Sequence, residues 1–170
     1  VFIQNEAEAM PFADNSFDLI WSLESAEHIP DKQQFLAECV RVLRPNGRII
    51  VATWCHRDEA NDHGPLNANE IRQLNLISRL YHLPSIIPSD CYRTLVRKMP
   101  LQDFRDADWS IAVAPFWGDV MRSMLRPDVA ARLSTTGLQT IMGALAVPLM
   151  MKGFHDGLIR YYLFTAEKSQ

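Results

Sequence analysis

Apolar and polar residues follow one another along the first third of the chain in a pattern that predicts alternating strands and helices. Residues 17–22 are mostly apolar and typical of a buried strand. Asp31 then offers a helix N-cap with Gln34 as its capping-box partner, and apolar residues recur at helical spacing up to the helix-ending Pro45-Asn46-Gly47. A second apolar run covers residues 48–54. Strand, helix and strand within about 40 residues predict a βαβ unit with two parallel strands.

The rest of the chain is predicted to be mainly helical. Helical spacing covers residues 70–83, 89–98, 116–133 with a break at Pro127, and 138–149 with a kink at Pro148. Short strands are predicted at 104–110 and 158–166, and residues 1–3 are interpreted as the end of another strand.

Composition limits the function to a few classes. The 170 residues suffice for one domain, and 48% are apolar and 22% charged, as in an ordinary globular protein. The net charge of −3 offers no basic excess for binding nucleic acid, and no apolar run approaches the ~20 residues of a membrane-spanning helix. Three widely spaced cysteines without a Cys-x-x-Cys or His/Cys cluster predict reduced thiols and no metal site.

Chemically active side chains gather where the predicted strands end. Because ligands bind at the carboxyl ends of parallel strands, three stretches are candidates: 5–8, 22–28 and 54–58. They carry carboxylates, hydroxyls and imidazoles, which favour a ligand with amine, ribose or cationic groups. None of the seven glycines forms Gly-x-Gly, so this chain has no phosphate-cradling loop.

Several motifs now carry a family resemblance. They are Asn5-Glu6-Ala7-Glu8-Ala9-Met10-Pro11-Phe12, Ser16-Phe17-Asp18-Leu19-Ile20-Trp21-Ser22, Glu27-His28 and Arg41-Val42-Leu43-Arg44-Pro45-Asn46-Gly47. Their order and spacing resemble the region from the third to the fifth strand of class I S-adenosylmethionine-dependent methyltransferases. Downstream, Thr53-Trp54-Cys55-His56-Arg57, Ala114-Pro115-Phe116-Trp117 and Gly157-Leu158-Ile159 resemble the γ-tocopherol C-methyltransferase family. Plant alkaloid N-methyltransferases share much of this pattern.

The resemblance implies the C-terminal portion of a Rossmann-like class I methyltransferase fold. This is an α/β fold with a mostly parallel sheet, flanking helices and a helical substrate-lid insertion. Residues 1–170 are expected to form one partial methyltransferase domain, in which 1–54 end the cofactor-binding half and 55–170 hold the substrate-binding lid and the last strands. Since the family's first strand and glycine-rich loop have no counterpart, we expect a fragment whose isolated form is inactive.

The resemblance also assigns residues to S-adenosylmethionine. Glu6 stands where the family usually has Asp facing the adenine amino group, and the backbone N–H of Ala7 would reach the adenine ring. Ser22, Leu23 and Glu24 would lie beneath the methionine part, where the Glu24 carboxylate neutralises the sulfonium or shapes the transfer site. The alternatives are a solvated turn carboxylate for Glu6 and a loop charge for Glu24.

His28 is the candidate general base for a phenol, because imidazole titrates near neutral pH. Ring C-methylation needs electron density ortho to the hydroxyl, and a phenolate supplies it. The alternative is that His28 orders its loop and caps the next helix. Glu27 could orient His28 or face water, and we expect it to face water.

A substrate chamber is predicted from Trp54, His56, Phe116 and Trp117. The methionines at 142, 150 and 151 suit either this chamber or the core. Peripheral membrane contact through residues 138–154 stays open, with little support from their charge pattern.

The function implied is S-adenosylmethionine-dependent methylation of a lipophilic small molecule, by ring C-methylation of a tocopherol-like phenol. The alternatives are N-methylation of an apolar alkaloid amine and a non-catalytic remnant that acts as an interaction module. Glu24, Glu27 and His28 serve a phenol or an amine equally, so both acceptors stay open. The resemblance points to a plastid or a bacterial cell, and the oligomeric state stays undetermined.

Overall fold

The computed structural model describes residues 3–60, 64–129 and 137–170. In chain order the elements are β1 (Phe17–Leu23), a 3₁₀ turn (Ala26–His28), α1 (Lys32–Val42), β2 (Leu43–His56), α2 (Ala68–Tyr81), α3 (Ser89–Arg97), β3 (Leu101–Asp108), α4 (Ser110–Met124), α5 (Leu138–His155) and β4 (Ile159–Lys168). The strand predicted at the start falls partly on Val1 and Phe2, and the helix predicted to Leu133 falls partly on 130–133, which lie outside the described residues.

Four strands form one sheet in the order β1-β2-β4-β3. β1 and β2 are parallel, which confirms the predicted βαβ unit, whereas β4 runs antiparallel to both of its neighbours. The expectation of a mostly parallel sheet is therefore wrong for the described strands. A tight turn at Gly157, where φ is +71°, leads from α5 into β4 beside the carboxyl end of β2, and Ile159 pairs with His56 there. From that point β4 runs back along β2, which makes the two strands antiparallel.

Helix α1 begins as predicted and ends early. The Asp31 side chain accepts a hydrogen bond from the Gln34 backbone N–H at 2.9 Å, but the Gln34 side chain donates to the Glu8 carbonyl at 3.2 Å instead of closing a capping box. The helix ends at Val42 because Leu43 is already extended, so β2 starts before the predicted stop at Pro45.

The core lies on both faces of β2 and β4. One face packs against α1 and α3, and the other packs against α2, α4 and α5 near the carboxyl end of β2. Cys39 and Cys55 are buried in the first of these layers, and all three cysteines are unpaired.

Strand β1 is less buried than its sequence predicts. Leu19, Trp21 and Leu23 are all at least half exposed, and Trp21 reaches 66%. The reason is its place at an edge of the described sheet, where every second side chain points to a face that no described helix covers. The prediction of a fully buried strand is therefore wrong.

Helix α4 begins at Ser110, before the predicted start, contains Pro115, and ends at Met124, ahead of the break predicted at Pro127. Helix α5 contains Pro148, where a kink was predicted. Within the described ranges, no helix combines the length and apolar character that crossing a membrane requires.

Candidate functional site

The parallel strands β1 and β2 end at the same edge of the sheet, and Glu24 directly follows β1 there. Its backbone N–H donates to the Ala52 carbonyl at 2.8 Å, which ties it to β2. Its φ of +47° is unusual for a residue with a side chain. Backbone strain of this kind is typical of functional sites, so Glu24 marks the place to look for chemistry.

A cavity of about 390 Å³ opens beside Glu24. Its lining residues come from β2, α2, α4 and α5 and the end of β1: Glu24, Trp54, Tyr81, Phe116, Trp117, Val120, Met124, Thr140, Gly143, Ala144 and Val147. Of these, Glu24 alone is charged. The cavity therefore combines apolar walls with one carboxylate, an arrangement suited to an apolar ligand that carries one polar group.

Aromatic rings form one wall of this cavity. Trp117 is 4% exposed and lies edge-on to Trp54 at 5.5 Å between ring centroids and to Phe116 at 5.3 Å. Phe116 is 56% exposed, so it lies at the open side. The structure thus brings together Trp54, Phe116 and Trp117 from the predicted substrate chamber, and joins Glu24 to them.

Two tyrosines lie at or near this cavity. Tyr81 lines it, and burial raises the pKa of Tyr81 to about 12. Burial also raises the pKa of Tyr161 above its usual range, and the negative charge of the Glu24 carboxylate raises it further. Both phenols are neutral at physiological pH. Neither tyrosine was among the predicted residues, because only the pairing of β2 with β4 brings Tyr161 beside Trp54.

The 3₁₀ turn after Glu24 holds an exposed His28 and a buried Glu27. Glu27 is only 2% exposed, so the expectation that it faces water is wrong. Its Oε2 accepts a hydrogen bond of 2.6 Å from the hydroxyl of Thr53 on β2, which draws the side chain inward. Burial raises the pKa of Glu27, although this hydrogen bond opposes the effect.

Lys32 closes the same turn from the start of α1. Its ammonium donates to the carbonyl of Glu27 at 3.1 Å and to the carbonyl of Ile29. Burial lowers the pKa of Lys32. The loop that carries His28 is therefore held by side-chain contacts to both α1 and β2.

The residues predicted to hold the methionine part of the cofactor lie around the end of β1. Ser22 is buried, and its hydroxyl is 2.6 Å from the Ser25 hydroxyl. Leu23 is 55% exposed, and Glu24 follows it.

Glu6 and Ala7 lie in a turn that packs against the start of α1. Glu6 is exposed and Ala7 is partly buried against the core. The neighbouring Glu8 carboxylate accepts from the Asp31 backbone N–H at 2.8 Å, which positions the turn at the helix N-terminus.

His56 does not reach the cavity. It is 6% exposed, and its Nδ1 lies 2.7 Å from the Arg57 carbonyl oxygen. Arg57 binds the Glu70 carboxylate at 2.8 and 2.9 Å, and these hydrogen bonds lower the pKa of Glu70 to about 2. This part of the loop after β2 packs against α2, so the placement of His56 suits packing and not contact with a substrate.

Comparisons with known proteins place this chain among methyltransferase relatives. Residues 1–51 match the family model of a methyltransferase domain. The chain is 41% identical over 169 residues to a probable chloroplastic tocopherol O-methyltransferase of Oryza sativa subsp. japonica. It is 42% identical over 163 residues to the chloroplastic tocopherol O-methyltransferase of Arabidopsis thaliana. This chain is homologous to S-adenosylmethionine-dependent methyltransferases.

The matches cover 99% and 96% of this methyltransferase homologue but only 47% of each relative, so the chain spans about half their length. Norajmaline N-methyltransferase of Rauvolfia serpentina is 28% identical over 170 residues, covering 99% of this chain and 58% of the relative.

Two solved structures show the same fold as this methyltransferase homologue. Geranyl diphosphate C-methyltransferase of Streptomyces coelicolor A3(2) superposes with a TM-score of 0.73 at 17% identity, covering 96% of this chain and 51% of that one. Phosphoethanolamine N-methyltransferase 2 of Haemonchus contortus gives 0.75 at 17%, covering 97% and 36%. Both are class I methyltransferase folds, which confirms the predicted fold class.

Proposed function

We propose that this chain forms the acceptor-binding part of an S-adenosylmethionine-dependent methyltransferase whose substrate is a lipophilic phenol. The observation that carries the proposal is the aromatic cavity with its single carboxylate, Glu24, at the carboxyl ends of β1 and β2. The names of the rice and Arabidopsis relatives support a tocopherol-like acceptor in a plastid. Residues 1–54 would serve the cofactor, and residues 55–170 would serve the acceptor.

The residues available at this site suit part of S-adenosylmethionine. Bound there, the cofactor would supply an electrophilic methyl group on a cationic sulfonium. Glu6 and Ala7 would contact the adenine, whereas Ser22, Leu23 and Glu24 would lie along the methionine part. A carboxylate in an otherwise apolar cavity favours a nearby cation, so Glu24 fits this role. No Gly-x-Gly loop occurs in the chain to hold the ribose and the methionine carboxylate.

The proposed chemistry is ring C-methylation of a phenol. His28 accepts the phenol proton, and the negative charge spreads to the ring carbon ortho to the oxygen. With S-adenosylmethionine bound, that carbon would take up the methyl group as its bond to sulfur breaks, and the ring carbon would then release its own proton to water, which restores the aromatic ring. The aromatic wall at Trp54 and Trp117 would hold the ring in line for this displacement.

N-methylation of an apolar amine is the second candidate. The charge of Glu24 favours it, because a carboxylate in an apolar cavity binds an ammonium group strongly. The amine would still have to lose its proton before it attacks, and His28 would accept that proton. The likeness to norajmaline N-methyltransferase supports this candidate.

An acceptor panel tests the proposal. We would assay the chain alone and a chimera in which it replaces the matching half of the Arabidopsis relative. Each would be incubated with S-adenosylmethionine and either γ-tocopherol or an apolar tertiary or secondary amine. Mass spectrometry with NMR of the product separates ring carbon, oxygen and nitrogen methylation. We expect ring methylation by the chimera, and we expect His28→Ala to lower it.

Other outcomes are equally informative. A product methylated on oxygen would keep the phenol acceptor and overturn the C-methylation step. Methylation of the amine alone would favour the second candidate. If the chimera binds neither cofactor nor acceptor while it remains folded, the chain is an interaction module, and the enzymatic proposal fails.

A further inference from the structure

The buried carboxyl group of Glu27 interacts with the charge of the buried Lys32 ammonium but is only partly satisfied by hydrogen bonds. Its side chain is 2% exposed, and its Oε1 has no hydrogen-bond partner among the described residues. A buried, half-satisfied carboxyl group destabilises a fold relative to an apolar side chain of similar size. Retaining it at such a position therefore indicates a task other than filling space.

Glu27 lies between the two side chains to which the proposed chemistry is assigned. Glu24 precedes it by three residues and carries the cavity's charge, and His28 directly follows it. The Glu24 backbone is tied to Ala52, and the His28 backbone N–H donates to the Ser25 carbonyl at 3.0 Å. Glu27 lies between these two backbone contacts, so its side chain influences the path of the segment that joins Glu24 to His28.

Thr53 supplies the fixed point for the loop. It lies on β2, which pairs on both sides with other strands, and it is fully buried. Its hydroxyl donates to Glu27 Oε2 at 2.6 Å, and this side-chain hydrogen bond joins the loop to β2, whereas the Ser25 hydroxyl joins the loop to Ser22 on β1. A hydrogen bond to a charged or polar carboxyl group in a dry site is directional, so it sets the position of the loop as well as its stability.

We propose that Glu27 is a positioning residue for methyl transfer, which acts through its hydrogen bond from Thr53 to hold Glu24 and His28 in register with the cavity. This inference rests on the proposed function, because it assigns the loop a role in the same reaction. Glu27 touches neither the cofactor nor the acceptor in this scheme.

Two substitutions of Thr53 separate positioning from packing. Thr53→Val keeps the shape and removes the hydroxyl, whereas Thr53→Ser keeps the hydroxyl and removes the methyl group. Hydrogen exchange of the backbone amides at residues 24–28 is measured in the chain itself by mass spectrometry. We expect Thr53→Val to raise the exchange rate there by about tenfold, and Thr53→Ser to stay close to the unchanged chain.

The opposite order would overturn the proposal. If Ser disturbs the loop and Val does not, Thr53 acts through its methyl group, and Glu27 has no positioning role. Equal rates of amide hydrogen exchange at residues 24–28 in both variants and in the wild-type chain would also overturn the proposal. Melting temperatures of both variants show whether the molecules compared are folded.

Measuring kcat and KM in the chimera distinguishes failure of this inference from failure of the proposed function. We expect Thr53→Val to lower kcat by about tenfold while the KM for the acceptor, which the aromatic wall holds, changes little, and we expect Thr53→Ser to restore kcat. An active chimera whose kcat is insensitive to Thr53→Val would refute the positioning role alone. If the chimera without a Thr53 substitution shows no turnover, the proposed function is refuted. The hydrogen-exchange experiment would then still show whether Thr53 holds the loop in place.

Discussion

Replacing Glu24 by Gly and by Ala tests whether its backbone is strained for a functional reason. Both substitutions remove the carboxylate and its charge interaction with Tyr161, so they differ only in what the backbone tolerates. At a φ of +47°, Ala keeps the left-handed strain and Gly relieves it. The expected order of stability is thus the reverse of the order at an ordinary loop position.

The size of the difference follows from two opposing terms. A side chain in the left-handed region costs about 1–2 kcal/mol, and Gly costs about 0.4–1 kcal/mol through the entropy of the unfolded chain. Glu24→Gly should therefore be more stable than Glu24→Ala by about 1 kcal/mol, which corresponds to about 2–4 °C in Tm for a chain of this length.

Urea denaturation and thermal melting of the two variants measure this difference. Ser25 offers a matched control on the next residue, because its φ is −132°. At Ser25 the Gly variant should be the less stable of the pair. If Glu24→Gly is no more stable than Glu24→Ala, the left-handed backbone is not strained, and the inference from strain to function at Glu24 is wrong. Both variants should lose about tenfold in affinity for S-adenosylmethionine, since both lack the carboxylate.

Three further substitutions test the account elsewhere. Burial raises the pKa of Glu27 above 4.5, so the protonated carboxyl group contributes stability that is lost as pH rises through the pKa of the folded protein. Glu27→Gln lacks this pH dependence. In urea denaturation, its stability relative to the wild-type chain should therefore increase with rising pH. Burial alone would raise the pKa of Asp58, but its hydrogen bonds, which include one from Arg93, hold this pKa below 3.8. Asp58→Asn should therefore lower the free energy of unfolding by about 2 kcal/mol at pH 7, and by progressively less as pH falls below 4. Gly153→Ala would place a Cβ 2.5 Å from Ile159 Cγ1 and should cost about 1–3 kcal/mol in a denaturation assay, despite better helix propensity.

The βαβ unit was predictable because its signals are local. Asp31 caps α1 as its sequence context predicts, and the two apolar runs around the helix become the parallel pair. The antiparallel β4 was not predictable from pattern alone, because its direction depends on where α5 delivers the chain beside His56. A period-two pattern predicts a strand but not the direction of its neighbour.

The sequence predicted which aromatic residues lie together, but not where single polar side chains lie. Trp54, Phe116 and Trp117 converge because large apolar side chains on facing elements pack together wherever space allows. The burial of Glu27 was missed, because it depends on the Thr53 hydroxyl, a partner that is remote in sequence. His56 was assigned to the substrate for its chemistry, yet it is the last residue of β2, and its buried side chain lies against the Arg57 carbonyl oxygen.

Direct binding of a chromanol tests the central claim, that the cavity beside Glu24 receives a lipophilic phenol. Every residue that lines the cavity belongs to the chain, so the chain itself can be titrated with a chromanol bearing a shortened tail, followed by tryptophan fluorescence. Gly143→Leu places a large side chain in the cavity, and Gly118→Leu is the control, since Gly118 lies on α4 outside the lining.

The account predicts saturable binding by the unchanged chain and by Gly118→Leu, and loss of that binding in Gly143→Leu. Binding that persists in a folded Gly143→Leu variant, or no saturable binding by the unchanged chain, would contradict it.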